Sequence, residues 1–427
     1  CVEHVVVYNH CDVNVSMKDG RDLFLHDLLS HVEEAPTVKD LSAEHASMYL
    51  YTSGTTGKPK GTVHTHGGAL AQIAKELGFA FDLRDDDTFF WVTDIGWLMG
   101  PWEMIGTMFW GATMVVFEGH PGYPNPDTVW KIVDRHKVTT LGISPTLIRG
   151  LRAYGDDWVK KADMSSLRLL GSTGEPWDQD SYMWFFDNVG KKKCPIINIS
   201  GGTEIVGCLL SPLPVMPLKA CSLGGPGLGM AIDVFDEEGK SLKGEIGHLV
   251  CRKPAPSMTR GFLKDPQRYE DTYFSKYDGI WYHGDWAKVD SDGSWFLFGR
   301  SDDTIKVAGK RVGPGEVESV LVEHAEVAEA AVIGIPHEVK GECLVCFVVL
   351  MPNSTYSAEL EAELREMVGR RLGPVLRPDT VIAIGALPKT RSGKIVRGSI
   401  KRKYLGEPVG DVSSIENPDA LNLIGSK

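Results

Sequence analysis

Residues 51–61 read Tyr-Thr-Ser-Gly-Thr-Thr-Gly-Lys-Pro-Lys-Gly, a composition suited to holding a polyphosphate. Glycines let backbone N–H groups turn inward toward an anion, hydroxyls donate further hydrogen bonds, and lysines add positive charge. The residues predicted to contact phosphate are Thr52, Ser53, Gly54, Thr55, Thr56, Gly57, Lys58 and Lys60. A flexible surface loop is the alternative, and so dense a set of phosphate-binding groups disfavours it.

The spacing of this loop differs from that of the P-loop NTPases. Their motif places a second glycine five positions after the first, followed by Lys and Ser or Thr. Counting from Gly54, that position is Pro59, so a P-loop NTPase is disfavoured. The apolar run at residues 47–51 leads into the loop, and we expect it to form a buried strand.

Further segments with chemical potential follow apolar runs downstream. Residues 171–176 read Gly-Ser-Thr-Gly-Glu-Pro and residues 201–204 read Gly-Gly-Thr-Glu, each after a predicted strand. Open α/β sheets bind ligands at the carboxyl ends of their strands. Residues 282–285 read Tyr-His-Gly-Asp, and residues 388–394 read Pro-Lys-Thr-Arg-Ser-Gly-Lys. Each segment alone could be an ordinary turn or surface charge, but together they indicate one nucleotide site.

In this order, the segments resemble the motifs of the adenylate-forming superfamily, which includes acyl-CoA synthetases, firefly luciferase and peptide-synthetase adenylation domains. The resemblance covers almost the whole chain and is nearest to the acetyl-CoA and acetoacetyl-CoA synthetase branch. It implies an AMP-forming acid–CoA ligase that uses ATP, Mg²⁺ and coenzyme A on a small-molecule carboxylic acid. An enzyme that loads a carrier protein and an inactive ATP-binding homologue are the alternatives.

The resemblance also implies a role for individual residues. Lys394 matches the catalytic lysine, Glu204 the acidic residue that helps to hold Mg²⁺, and Asp302 the hinge between the large and small domains. A lysine ammonium is a compact, mobile charge that can bridge a carboxylate and the α-phosphate. Thr203 joins the phosphate-binding set, and the adenine and ribose contacts are Gly174, Glu175, Pro176, Asn198, Ile199, Asp285 and Arg300. The coenzyme A contacts are Ala308, Gly309 and Arg311. No role is assigned to His283.

By the same resemblance, the acyl pocket is formed by Trp97, Leu98, Met99, Thr173 and Gly201. Acetyl-CoA synthetases carry two tryptophans at the positions of Ser200 and Gly201, and the second closes the pocket around acetate. Because glycine lacks that wall, we expect an acid larger than acetate, of short or medium length.

Alternating apolar runs and helical patterns predict the elements that position these residues. Between residue 46 and about residue 200 the alternation is typical of βαβ units and a parallel sheet. The predicted strands are at 89–93, 112–117, 138–143, 167–170 and 195–199, and the clearest helix is at 126–136. Residues 218–300 are predicted to be mainly β, with a hairpin turn at 234–240. Farther on, strands are predicted at 330–334 and 343–350, and helices at 314–323 and 357–371.

The predicted fold class is therefore α/β, with a large adenylation domain of parallel αβ layers, a β-rich subdomain and a small mobile α+β domain. The α/β part spans residues 1–217, the β-rich subdomain residues 218–301, and the C-terminal lid residues 302–427. The chain opens on Cys1 and runs at once into a strand-like segment at 2–8, so we expect an upstream part of the large domain to be missing.

Bulk composition limits the function classes. A chain of 427 residues is long enough for two or three domains. The net charge of −12 argues against a nucleic-acid partner, because phosphate backbones attract basic surfaces. No apolar run reaches transmembrane length, and the eight cysteines lack framework spacing, which fits a reducing cytoplasm. Cys343 and Cys346 form a CxxC, but their separation places them on opposite faces of a strand, which favours core thiols over a zinc site.

Overall fold

The computed structural model describes residues 2–32, 40–52, 60–301, 303–352, 354–390, 393–413 and 415–425. The chain forms two compact units, Cys1–Ser42 and Ala43–Lys427. In the first unit, β1 (Val5–Val7) pairs in parallel with β2 (Asp22–Phe24), which leads into the short helix α1 (Leu25–Leu29). The strand expected near the start of the chain is present, although it is shorter than its apolar run.

The second unit opens with a β-hairpin that frames the predicted phosphate loop. Strands β3 (Ala46–Thr52) and β4 (Lys60–Thr65) are antiparallel, with Thr52 opposite Lys60. The prediction of a buried strand at 47–51 is wrong, because exposed and half-buried residues alternate along β3. Among the described strands β3 pairs with β4 alone, and this leaves Tyr51 60% exposed on its outer face.

A parallel sheet forms the centre of the second unit. Its strands are β5 (Thr88–Trp91), β6 (Thr113–Met114), β7 (Thr140–Gly142), β8 (Leu169–Ser172) and β9 (Ile196–Asn198), in the order β6–β5–β7–β8–β9. All of these described pairings are parallel. The accompanying helices are α2 (His66–Lys75), α3 (Met99–Trp110), α4 (Thr128–His136), α5 (Pro145–Arg152) and α6 (Gln179–Trp184). The predicted α/β class is confirmed.

Both faces of this sheet are covered, since successive strand residues enter different hydrophobic clusters. Leu170 packs in a cluster with Leu141 and residues of α4 and α5. Its neighbour Leu169 packs in another cluster, with Trp102 of α3. Burial on two faces explains why the strands are continuous apolar runs without alternation. Strands β8 and β9 therefore end in a sheet that is packed on both faces. The segment at 171–176 begins at the end of β8, and the segment at 201–204 follows β9 closely.

The next part of the chain is rich in antiparallel strands. A ribbon of β10 (Ser200–Gly202) and β11 (Gly207–Leu210) is followed by a sheet of β12 (Ile232–Phe235), β13 (Gly247–Cys251), β14 (Trp281–Val289) and β15 (Trp295–Arg300). Helix α7 (Pro266–Tyr273) lies between β13 and β14 in sequence. The predicted turn after β12 is closed by the Asp236 N–H, which donates to the Lys240 carbonyl at 2.9 Å. The mainly β character of this part is confirmed.

The C-terminal part combines a mixed sheet with helices. Its elements are β16 (Ile305–Val307), β17 (Lys310–Val312), α8 (Pro314–Val322), β18 (Val327–His337), β19 (Gly341–Leu350), α9 (Ala358–Leu372), β20 (Thr380–Ala383) and α10 (Arg397–Tyr404). The sheet order is β17–β16–β19–β18, and β20 pairs in parallel with β19. Cys343 and Cys346 enter different hydrophobic clusters, which confirms that they lie on opposite faces of β19. The domain boundaries at 217 and 301 stay predictions. In the described part of the chain, no helix combines the length and the apolar character needed to cross a bilayer.

Glu103 is a buried carboxyl group within α3, and it gives the fold a pH dependence. The residue is 5% exposed, and its Oε1 accepts a hydrogen bond from the backbone N–H of Trp91 at 2.9 Å. Burial raises the pKa of Glu103 from its ordinary 4.5 to about 8. Between those values the folded chain binds more protons at this site than the unfolded chain, so the stability from this group falls as pH rises.

Replacing Glu103 by glutamine should keep the oxygen that accepts from Trp91 and remove the titration. We expect wild type and variant to have similar free energies of unfolding at pH 5. At pH 8.5 the variant should be more stable by several kcal/mol, an order-of-magnitude value from the pKa difference. Urea unfolding at both pH values measures this, with exposed Glu118→Gln as the control. A difference between wild type and variant that does not change with pH would contradict the assignment.

Candidate active site

Glu204, the predicted metal ligand, lies in the short 3₁₀ turn Thr203–Ile205 that follows β10. Its Oε1 accepts a hydrogen bond from the hydroxyl of Tyr273, the last residue of α7. Burial alone would raise the pKa of Glu204, but nearby His283 and the Tyr273 hydroxyl outweigh burial and lower it. The carboxylate is therefore ionised at neutral pH, as a metal ligand must be.

Space for a cation beside Glu204 depends on the glycine at position 202. A Cβ there would lie 2.7 Å from Glu204 Oε2 and 3.0 Å from His283 Cε1, so Gly202 keeps this oxygen accessible. Within the described ranges, no three His, Cys, Asp or Glu side chains are grouped to hold a metal by themselves. A single carboxylate suits Mg²⁺ in a nucleotide site, because phosphate oxygens and waters complete its octahedron.

Tyr273 links the predicted metal ligand to the end of the phosphate loop. The ammonium group of Lys60, the first residue of β4, lies 5.6 Å from the centre of the Tyr273 ring and 5.4 Å from that of Phe262. The Tyr273 ring thus faces a cation while its hydroxyl donates to Glu204. Sequence reasoning missed Tyr273, which is 69 positions from Glu204 and belongs to none of the motifs.

The predicted ribose contacts Asp285 and Arg300 are paired across β14 and β15. Arg300 Nη1 donates to the carbonyl oxygen of His283 at 3.0 Å. The Nε2 of His283 lies 3.4 Å from Asp285 Oδ2, and its ring is also close enough to Glu204 to lower the pKa of that carboxyl group. His283, which is 5% exposed, therefore connects the predicted ribose ligand with the predicted metal ligand. The sequence did not indicate this role.

Lys394, the predicted catalytic lysine, precedes α10 in a tight turn, where the Thr390 N–H donates to the Lys394 carbonyl at 2.9 Å. The residue is exposed to solvent. Surrounding protein atoms, and after them Arg300 and Arg397, lower the pKa of Lys394, whereas carboxylates that include Asp285 oppose the shift. These interactions bring the ammonium group to the same region as the predicted ribose contacts.

Glu175 was predicted to contact the nucleotide, but its carboxylate is engaged with α5. Its Oε1 accepts from the Thr146 backbone N–H at 2.8 Å, and Arg149 Nη2 donates to its Oε2 at 2.9 Å. Burial alone would raise the pKa of Glu175, but Arg149 and Thr146 lower it. The carboxylate thus anchors its own segment. Any contact with the nucleotide falls to the backbone there, at the exposed Gly174 and Pro176.

A small cavity of about 40 Å³ separates this anchor from the C-terminal part of the chain. Arg149 and Glu175 line one side, and Glu318 and Arg397 line the other. Arg397 Nε donates to Glu318 Oε1 at 2.6 Å, and Arg397 begins the helix that follows Lys394. Each side of the cavity thus carries one arginine and one glutamate, beside the turn that contains Lys394.

The remaining residues of the nucleotide set lie at the end of β9. Asn198 is buried, and its Nδ2 donates to the carbonyl oxygens of Cys221 and Ser222 at 3.3 Å. Thr173 Oγ1 donates to the buried Ile199 at its carbonyl oxygen, 2.8 Å away. The Thr173 bond joins the ends of β8 and β9, and the Asn198 bonds join the end of β9 to the segment at 221–222. The predicted hinge and most of the phosphate loop, namely Asp302, Ser53, Gly54, Thr55, Thr56, Gly57 and Lys58, lie outside the described residues.

Most residues of the predicted acyl pocket lie at the start of α3 and on β10. Trp97, Leu98 and Met99 are half-buried at the start of α3, as a pocket wall requires. At Gly201, however, an added Cβ would lie 1.9 Å from the Gly207 carbonyl oxygen. A side chain at position 201 would therefore collide with β11, so a tryptophan there cannot simply wall off the pocket on this backbone.

The predicted coenzyme A contacts lie in the turn between β16 and β17. Ala308 and Gly309 both have left-handed backbone conformations, with φ of 47° and 84°, which a tight two-residue hairpin turn requires. Both residues are exposed. Arg311 is held elsewhere, since its Nη1 lies 2.9 Å from Glu237 Oε1 in the β-rich part.

Comparison with known proteins agrees with this geometry. The AMP-binding enzyme family matches residues 5–263, and the AMP-binding enzyme C-terminal domain matches residues 316–394. The fold is that of the adenylate-forming enzymes, and the chain belongs to the AMP-binding enzyme family. The resemblance seen in the sequence motifs is thereby confirmed.

Several named relatives are acetyl-coenzyme A or acetoacetyl-CoA synthetases. The chain is 42% identical over 430 residues to the acetyl-coenzyme A synthetase of Methanothrix thermoacetophila, covering 99% of this chain and 65% of that protein. It is 43% identical over 431 residues to that of Methanothrix soehngenii, covering 99% and 64%. The solved acetoacetyl-CoA synthetase from Streptomyces lividans matches with a TM-score of 0.84 and 33% identity, covering 96% of this chain and 63% of that one. The chain thus spans slightly less than two thirds of the length of these relatives.

Proposed function

We propose that this protein is an AMP-forming acid–CoA ligase. In the first half-reaction a carboxylate oxygen attacks the α-phosphorus of ATP, and pyrophosphate leaves. In the second, the coenzyme A thiol loses its proton and attacks the acyl carbon, and AMP leaves. The observation that carries the proposal is that the Lys394 ammonium group shares its electrostatic surroundings with Asp285 and Arg300. The named acetyl-CoA and acetoacetyl-CoA synthetases support the same reaction class.

In the first half-reaction, some of these residues hold the nucleotide and others offset the negative charge of the phosphates and the acid. Asp285 offers a carboxylate whose oxygens can accept hydrogen bonds from both ribose hydroxyls. Lys60 supplies positive charge at the end of the phosphate loop, and Lys394 offsets charge where the acid meets the α-phosphate. Mg²⁺, when held through Glu204, would neutralise phosphate charge and fix the phosphate geometry. Holding both reactants in line removes much of the entropic cost of their reaction.

The second half-reaction requires the C-terminal part to move. In this structure Lys394 shares the surroundings of Asp285 and Arg300, whereas Arg311, which is proposed to bind coenzyme A, is held against the β-rich part. We propose that residues 302–427 rotate as a lid about Asp302, which withdraws Lys394 and presents the turn at Ala308 and Gly309. Rotation of one domain about a short hinge is a common way to complete two sites in turn. The β-rich part at residues 218–301 belongs to the body against which this lid moves.

We propose that the acid is larger than acetate. The acetoacetyl-CoA synthetase with a related structure supports this size, whereas the acetyl-CoA synthetases among the sequence relatives favour acetate. Because a side chain at position 201 would collide with β11, Gly201→Trp would disturb the backbone there. Its effect on acyl preference would not report the size of the pocket. Trp97 is the better probe, because it lies at the half-buried start of α3.

Replacing Trp97 by alanine should enlarge the pocket and move the preference toward longer acids. The ratio of kcat/KM for a six-carbon acid over acetoacetate should rise about tenfold or more, the usual scale for a pocket that gains room. Thioester formation with free coenzyme A, measured across acids of two to eight carbons, gives this ratio. Phe109→Ala, at the exposed far end of α3, is the control and should leave the ratio unchanged. If Trp97→Ala and wild type share one preference order, Trp97 does not line the pocket.

A further inference from the structure

Arg311, a predicted coenzyme A contact, lies in a cluster of charged and aromatic side chains whose other members have no role in the proposed chemistry. We call it the Arg311 cluster; its members are Arg311, Glu237, Lys276, His248 and Trp286. Arg311 Nη1 lies 2.9 Å from Glu237 Oε1, and the Lys276 ammonium lies 2.9 Å from Glu237 Oε2. The Arg311 guanidinium stands 5.6 Å above the Trp286 ring. His248 stacks on the other side of the cluster, 4.1 Å from the Trp286 ring centre.

The cluster joins two parts of the chain that the proposed mechanism requires to separate. Arg311 belongs to β17 in the C-terminal part, and the other members belong to the β12–β15 sheet or its loops. Hydrogen bonds from Lys276 and then from Arg311 lower the pKa of Glu237 to about 2. Glu237 is therefore charged throughout the physiological range, and the contact with Arg311 is a full ion pair.

A guanidinium group carries five N–H donors in a planar fork, and the contact with Glu237 uses Nη1. Carboxylate and phosphate oxygens are the groups that this fork binds best. While Arg311 is paired with Glu237 and stacked on Trp286, its guanidinium is held against the β-rich part of the chain. The pairing exists in the same structure in which Lys394 shares the surroundings of Asp285.

We propose that Glu237 pairs with Arg311 in only one of two positions of the C-terminal part. The pair holds that part in the position that presents Lys394. When the part rotates, Arg311 is released for coenzyme A. The release of Arg311 for coenzyme A rests on the proposed function, whereas the hold on the C-terminal part does not. Both residues of the pair are about half exposed, Arg311 at 48% and Glu237 at 50%, so the pair is weak. A weak contact suits the role, because an equilibrium that reverses in every catalytic cycle needs a small bias between its two states.

The pose itself can be measured without any substrate. Nitroxide labels on p-acetylphenylalanine at Val215 and Val339, which are 89% and 88% exposed, report the distance between the two parts. Electron–electron double resonance on wild type should give one dominant distance. Glu237→Gln should raise a second population several-fold. Its neighbour Glu238→Gln, also an exposed carboxylate, is the matched control and should keep the wild-type distribution. A Glu237→Gln distribution identical to wild type would overturn the proposal, as would an equal shift in Glu238→Gln.

The two half-reactions then test what the release of Arg311 does. In Glu237→Gln, acid-dependent ATP–pyrophosphate exchange should fall several-fold. The coenzyme A concentration that half-saturates thioester formation from supplied acyl-adenylate should also fall several-fold. If the label distance shifts but wild type catalyses neither half-reaction, the proposed function fails and the contact between Glu237 and Arg311 stands. If wild type catalyses both and the label distance does not respond, the inference about Glu237 fails alone.

Discussion

Replacing Lys394 by alanine is expected to lower acid-dependent ATP–pyrophosphate exchange by about 10²–10³-fold, the usual loss for a charge aimed at a transition state. ATP binding should be nearly unchanged, because the glycine-rich loop, Lys60 and Asp285 remain. Thioester formation from supplied acyl-adenylate should also persist, since Lys394 is withdrawn in that step. Exchange rates and ATP affinity by calorimetry measure the two effects separately.

The control for this prediction is Lys403→Ala, which removes another lysine from α10, the helix that follows Lys394. It should leave the exchange rate close to that of wild type. If Lys394→Ala retained wild-type exchange, the ammonium group would have no part in adenylation. An equal loss in both half-reactions would indicate damage to the fold and would remove the specific role proposed for Lys394.

Glu204→Gln is expected to have the second-largest effect. Glutamine keeps the size of the side chain and an oxygen that can accept from Tyr273, but it removes the negative charge beside Gly202. The rate of exchange at saturating ATP should fall by about 10²-fold, since metal-ion stabilisation is worth several kcal/mol. The Mg²⁺ concentration that gives half-maximal exchange should rise at the same time. A Mg²⁺ titration of the exchange rate measures both changes.

Tyr273→Phe separates the charge of Glu204 from its positioning. This variant keeps the carboxylate and removes the hydroxyl that donates to Oε1. We expect a smaller loss of rate than in Glu204→Gln, with a modest rise in the Mg²⁺ midpoint. A Glu204→Gln variant whose Mg²⁺ midpoint equals that of wild type would show that Glu204 is not the metal ligand.

The parallel sheet could be predicted because both of its faces are buried. Burial on two faces produces apolar runs such as those of β7 and β8, and the helices between them show the helical period. The opposite orientation of Cys343 and Cys346 followed from the strand period in the same way. Strand β3 was misjudged, since an apolar run such as that at 47–51 does not reveal whether another element covers its second face.

The residues that support the site could not be predicted, because the residues that contact one another there are far apart in sequence. Tyr273 contacts Glu204 from helix α7, and Arg149 pairs with Glu175 because α5 packs on one face of the sheet. The side-chain direction at Gly201 depends on a register shift between β10 and β11, which occurs between Ser200 and Gly201. A one-residue change of register redirects a side chain completely, and motif matching does not detect it.

The central claim is that this protein activates a carboxylic acid by transferring AMP to it. Isotope exchange between labelled pyrophosphate and ATP, measured without coenzyme A over a panel of acids, tests that claim most directly. We predict exchange that requires both Mg²⁺ and an acid, that is fastest with an acid longer than acetate, and that gives way to AMP and thioester when coenzyme A is added. Release of ADP and phosphate, or exchange that proceeds equally without any acid, would contradict the account.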